Sequence, residues 1–159
     1  MPDTTDPTGS NGSVVILLNQ GTTGGTWDGF DAYGSAIVVT VGRNPAGLDA
    51  GDVDDDGDLD IVVANRGDGE VTILFNDGTG TSYTTLDVDS QPNLATNADP
   101  LDVYVGDLDS DGDADIAVTN GLDGTVVAFE NTTSFAGGFG IDSGTELSLI
   151  HISEPTRPY

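Results

Sequence analysis

Hydrophobic residues in this chain fall in short runs separated by polar, glycine-rich clusters. Leu101, Val103 and Val105 alternate with Asp102 and Tyr104, the period of a strand with one buried face. Ile61–Ala64 and the run from Ile116 to Thr119 are short and barely interrupted by polar residues, as strands covered on both faces require. Ala36–Val41 reads as a weaker strand. Asn11-Gly12, Asp68-Gly69 and Asp123-Gly124 each stand between strand-like runs. These dipeptides suit type I′ hairpin turns, whose two central residues both need positive φ. No segment combines helical periodicity with caps, so the pattern predicts an all-β chain.

The same pattern occurs twice. Residues 45–76 align without a gap on 100–131, 55 positions later, with 15 identities in 32. A partial third copy opens the chain, where Asn11–Asn19 matches Asp68–Asn76 and Asp123–Asn131. An aromatic follows each of the recurring asparagines: Trp27, Tyr83 and Phe135. Their repeated position predicts packing within a unit, in preference to a surface that stacks carbohydrate. Four strands in about 55 residues is the size of one propeller blade. A β-sandwich does not usually repeat at a fixed period, and a parallel β-helix repeats at shorter intervals. The expected architecture is therefore a β-propeller fragment of about two to three four-stranded blades. Residues 1–10 form a polar N-terminal segment, and 11–41 the end of one blade and the start of the next. Residues 42–96 form a blade with an acidic loop, and 97–146 a second, incomplete one. With neighbours missing, apolar surface is expected to remain exposed along Val14, Ile16 and Leu18.

The informative chemistry lies in Asp52, Asp54, Asp56, Gly57, Asp58 and Asp60, and in their copies Asp107, Asp109, Asp111, Gly112, Asp113 and Asp115. Carboxylates at positions 1, 3 and 5 converge only if the backbone wraps round a centre, and glycine at position 6 permits that turn. Asp58 and Asp113, at position 7, are expected to offer main-chain carbonyls, with their side chains facing solvent. Asp60 and Asp115, at position 9, would close the shell. All-oxygen donors select Ca²⁺ over zinc or copper. The plainer alternative is a solvated Asp/Gly-rich loop, but both copies keep every ligand position while the residues between them vary. An EF-hand needs glutamate at position 12 and flanking helices. Here position 12 is Val63 or Val118, inside an apolar strand; a dockerin module fails for the same reason.

Taken together, the G-D-x-D-x-D-G-x-x-D-I-x-V-x-N run, the preceding N-P or D-P and the following D-G-x-V resemble the FG-GAP/VCBS repeat. Such repeats build the propellers of integrin alpha subunits and of many large secreted bacterial proteins. The resemblance spans roughly residues 11–140. It implies that the acidic loop joins the first two strands of a blade, that the ions are structural and that the parent ring commonly has seven blades. The chain lacks clear Phe-Gly and Gly-Ala-Pro signatures, so integrin-like ligand binding is not implied. The function expected is a calcium-binding scaffold of an extracellular or cell-surface propeller, used in adhesion or recognition. Its partners would be the remaining blades and a protein or carbohydrate ligand held by the full ring. The alternative is an accessory propeller in a secreted polysaccharide hydrolase or lyase whose catalytic domain lies elsewhere. Clustered carboxylates suit glycosidase chemistry in principle, but here they are better used as metal ligands, so no enzyme activity is expected.

Charge narrows the partners. Against 28 acidic residues stand three basic ones, a formal net charge of -25, which repels phosphate backbones and anionic lipid. Nucleic acid and membrane insertion are accordingly not expected. Arg43 and Arg66 are expected to pair with local aspartates. There is no cysteine, hence no disulfide or thiolate site. Met1–Ser13 lacks the basic start and apolar core of a signal peptide. Asn11-Gly-Ser and Asn131-Thr-Thr fit the N-glycosylation pattern, a pattern frequent by chance. Residues 147–159 break with everything before them. Leu147–Arg157 resembles a translated transposase-type sequencing adapter, and the only histidine, His151, lies within it. This tail is expected to contribute nothing to binding or stability.

Overall fold

The computed structural model describes residues 11–19, 21–30, 36–79, 83–86, 96, 99–122 and 124–131. The adapter-like tail, His151, Phe135 and the glycosylation triplet beyond Asn131 lie outside them. All regular elements among the described residues are strands, and none of those residues forms a helix able to cross a membrane.

The centre is a four-stranded antiparallel meander of β5 (Pro45–Gly51), β6 (Asp60–Asn65), β7 (Glu70–Asn76) and β8 (Tyr83–Leu86). Each strand pairs with the next in sequence, with Ile61 opposite Leu74 and Ala50 opposite Ile61. This is the construction of a propeller blade. A second meander holds β9 (Pro100–Gly106), β10 (Asp115–Asn120) and β11 (Thr125–Phe129). Toward the N-terminus β1 (Gly12–Ile16) pairs with β4 (Ile37–Val41), and the small hairpin β2 (Thr22–Thr23) and β3 (Thr26–Trp27) rises between them. Within 11–41 the strands of the pair thus share one sheet, and the next sheet begins at Pro45.

The β5–β8 sheet is covered on both faces, which explains its unbroken apolar runs. Side chains alternate across a strand. Val62, Ala64, Val71 and Ile73 pack with Val103, Val105, Ile116, Val118 and Phe129 of the β9–β11 sheet. Val63 and Leu74 pack with Val14 and Val41 of the β1–β4 pair, flanked by Ile16 and Val39. Each fully buried valine, leucine or isoleucine contributes roughly 1.5–3 kcal/mol.

Three expectations are corrected. The apolar face left open at the N-terminal sheet carries Val15, Leu17 and Val38, because Val14 is buried and Ile16 packs against the central sheet. The position of Leu17 in the repeat is that of Leu74; the first is 40% exposed and the second 0%. The Asp68-Gly69 turn is not a two-residue type I′ turn. Asn65 pairs with Glu70, so four residues form the loop, and both Asp68 and Gly69 donate their N–H groups to the Asn65 carbonyl. Only Gly69 of the dipeptide has positive φ (72°), and Gly124 repeats it at 68°. This is a longer hairpin loop closed by a left-handed glycine. Finally, the aromatics are not equivalent. Tyr83 pairs with Asn76 and packs on the apolar cluster, whereas Phe30 is the residue bridged to Asn19. Trp27 is exposed, with its ring edge-on to Phe30 at 5.5 Å.

Both arginines of the body pair with aspartates. Arg43 pairs with Asp68, and Arg66 is bidentate to Asp99 at 2.6 and 2.9 Å, tying the β6–β7 turn to the start of the next sheet.

Candidate metal centre

Residues 52–59 connect β5 to β6, and residues 107–114 connect β9 to β10, so each acidic loop joins the first two strands of its sheet. Both loops take the same backbone shape. Position 4 is left-handed in each, Asp55 at φ 57° and Ser110 at φ 72°. Position 6 is Gly57 at 94° and Gly112 at 104°, with open space where a Cβ would stand. Glycine is needed there for conformation alone.

Local hydrogen bonds hold the turns. Asp52 accepts the N–H groups of Asp56 (3.1 Å) and Gly57 (3.0 Å), and Asp56 accepts that of Asp58 (2.9 Å). In the second loop Asp107 accepts Ser110 N–H, Asp109 accepts Asp111 N–H and Asp111 accepts Asp113 N–H at 2.6, 3.1 and 3.0 Å. The side chain of Asp58 lies beside the Gly78 turn and is half-buried, as is Asp113.

The last aspartate of each loop is a buried clamp. Asp60 accepts Val53 N–H (3.0 Å) on one oxygen and Asn76 N–H (2.9 Å) on the other. Asp115 does the same with Leu108 N–H (2.8 Å) and Asn131 N–H (2.9 Å). Sequence reasoning assigned no role to Asn76 and Asn131. The signal was present as an asparagine recurring 16 residues after each clamp aspartate.

The fold gathers the carboxylates of Asp52, Asp54 and Asp60 into one group and those of Asp107, Asp109 and Asp115 into another; within each group, ligand oxygens lie within 4.8 Å of one another. Asp56 and Asp111 are not in these groups, each being turned toward the N–H two residues on. One oxygen of Asp54 is buried and has no hydrogen-bond partner. Burial, then the neighbouring Asp56 and Asp52 charges, raise the Asp54 pKa. Burial pushes Asp60 up to about 6, with Asp54 and Asp56 adding to it against the two backbone N–H bonds. Loss of hydration and the Asp111 and Asp115 charges raise Asp109 likewise. Three like charges at this spacing, with one orphaned oxygen, are poorly compensated by the protein alone. A cation at their centre would supply the missing charge, so the donor set fits a metal ion of hard, oxygen-preferring character.

No curated protein and no solved structure matches the chain. Residues 52–118, which contain both acidic loops, match the family model of the FG-GAP-like repeat. That stretch is thus similar to the FG-GAP-like repeat, and it carries a blade-like meander repeating at the sequence period with an acidic loop between its first two strands.

Proposed function

We propose that the chain is a calcium-binding structural and interaction module of an exported or cell-surface β-propeller, serving adhesion or recognition and carrying no catalytic centre of its own. The observation that supports this best is the orphaned Asp54 oxygen inside a three-carboxylate group. Asp52, Asp54 and Asp60 would hold one ion, and Asp107, Asp109 and Asp115 the other. Asp56 and Asp111, with the carbonyls of Asp58 and Asp113, would complete the shells. The ion's chemistry is neutralisation: it removes the repulsion that otherwise opposes closing each loop. Calcium modules outside the cell bind at about 10⁻⁴–10⁻³ M, an affinity suited to a permanent structural ion where calcium is abundant. The full ring, with its remaining blades, would present a surface to a protein or carbohydrate ligand. The net charge of -25 argues against nucleic acid and anionic lipid as partners.

Calorimetric titration of the chain with Ca²⁺ tests the reading. About two sites are expected. Asp54→Ala should remove one and Asp109→Ala the other, while Asp58→Ala leaves both. Absence of calcium uptake would overturn the proposal, and loss of a site in Asp58→Ala would overturn the ligand assignment.

A further inference from the structure

Asn131 stands where the two acidic loops meet. It is buried, and its side-chain amide donates to the Val53 carbonyl at 2.8 Å and to the Ala114 carbonyl at 3.2 Å. Its backbone N–H donates to Asp115, and the N–H of Val53 donates to Asp60. One hydrogen-bonded run therefore passes from the Asp60 carboxylate through the Val53 backbone and Asn131 to the Asp115 carboxylate. It joins the clamp of one loop to the clamp of the other across a sequence separation of 78 residues between Val53 and Asn131. The counterpart Asn76 makes only the half of this arrangement internal to its sheet: its N–H bonds Asp60 and its side chain the Leu59 carbonyl at 3.3 Å.

We propose that Asn131 is a positioning residue that couples the two loops, so that an ion in one raises the affinity of the other. This rests on the calcium reading above. An ion in the second loop fixes Asp115, and Asp115 fixes the backbone of Asn131. The amide of Asn131 then holds Val53, whose N–H in turn holds Asp60 within the first group. Ordering done for one loop is thereby already done for the next, which is positive coupling. Direct repulsion between the ions acts the other way, and physiological salt screens it at separations beyond about 8 Å.

The test is a double-mutant cycle on the whole chain, read by calcium titration at about 0.15 M salt. Asp109→Asn silences the second loop. With Asn131 intact, this change should weaken calcium binding at the untouched first loop about fivefold or more. In the Asn131→Ala background, Asp109→Asn should leave the affinity of the first loop unchanged. If Asn131→Ala does not fold, Asn131→Leu serves instead, because it keeps the backbone donor and much of the shape, adds no charge and loses the amide donors. A purely structural Asn131 would lower stability or both affinities without altering the cycle. Two independent sites with Asn131 intact, or coupling that survives its replacement, would overturn this proposal alone. Failure of either loop to take up calcium would overturn the calcium reading and the coupling with it.

Discussion

The two acidic loops share a sequence pattern and a backbone shape, yet they occupy different surroundings. In the first loop Val53 is 1% exposed; its counterpart Leu108 is 42% exposed. Asp52 and Asp54 are half-buried, whereas Asp107 and Asp109 are more exposed. The reason is the next sheet along. Val53 belongs to the apolar cluster shared with β9–β11, and Asn131 caps its carbonyl. No further sheet covers the second loop among the described residues. Identical motifs thus differ in hydration because a blade completes the loop of the blade before it.

The largest effect that sharpens this contrast is a pH dependence in chelator. Asp60, pushed up to about 6, has an ordinary value near 4. Its folded form therefore favours the proton. The resulting stabilisation is fully present below about pH 4 and is lost as pH rises through about 6. Its size is on the order of 2–3 kcal/mol. The cation-free chain should melt at higher temperature at pH 4.5 than at pH 7.5, by circular dichroism. Asp60→Asn should remove most of that difference, and excess calcium should restore stability at pH 7.5. A slope unchanged in Asp60→Asn would break the link between burial of the first loop and titration.

Packing gives the next effect. Val53→Ala should destabilise by about 2 kcal/mol, from lost methyl burial and an incompletely collapsed cavity. Leu108→Ala should stay within about 0.5–1 kcal/mol, as exposed substitutions do. Equal losses in denaturant melts of the two variants would show that the loops are equally covered and dissolve the comparison.

The smallest difference is expected where the loops are alike. Gly57→Ala and Gly112→Ala each force a side chain into positive φ with no steric contact to add. Each should cost about 1–2 kcal/mol, and the two values should agree. A clear inequality would mean that the loop backbones differ.

Much of this was legible in the residues. Ligand spacing, the glycine at position 6 and the 55-residue period follow from local geometry, which a sequence carries directly. The Asp60 and Asp115 positions were identified as shell-closing residues, but their second task was not visible. Each accepts a backbone N–H from an asparagine 16 residues on, a partner brought there by the register of the strands between them. The same limit explains the misassigned open face at β1. Val14, Ile16 and Leu18 and the alternate set Val15 and Leu17 are both apolar, so periodicity could not say which set faces the central sheet. The turn after β6 was misread because Asp68-Gly69 sets a left-handed residue but not the length of the loop around it.

By itself, then, the sequence determined an all-β repeat with two oxygen-lined loops, because strand period, turn glycines and ligand spacing are short-range properties. Tertiary structure alone decided which carboxylates lose water, which face stays open and that Asn131 spans both loops. Those outcomes depend on which sheet lies against which, and that contact joins residues far apart in the chain.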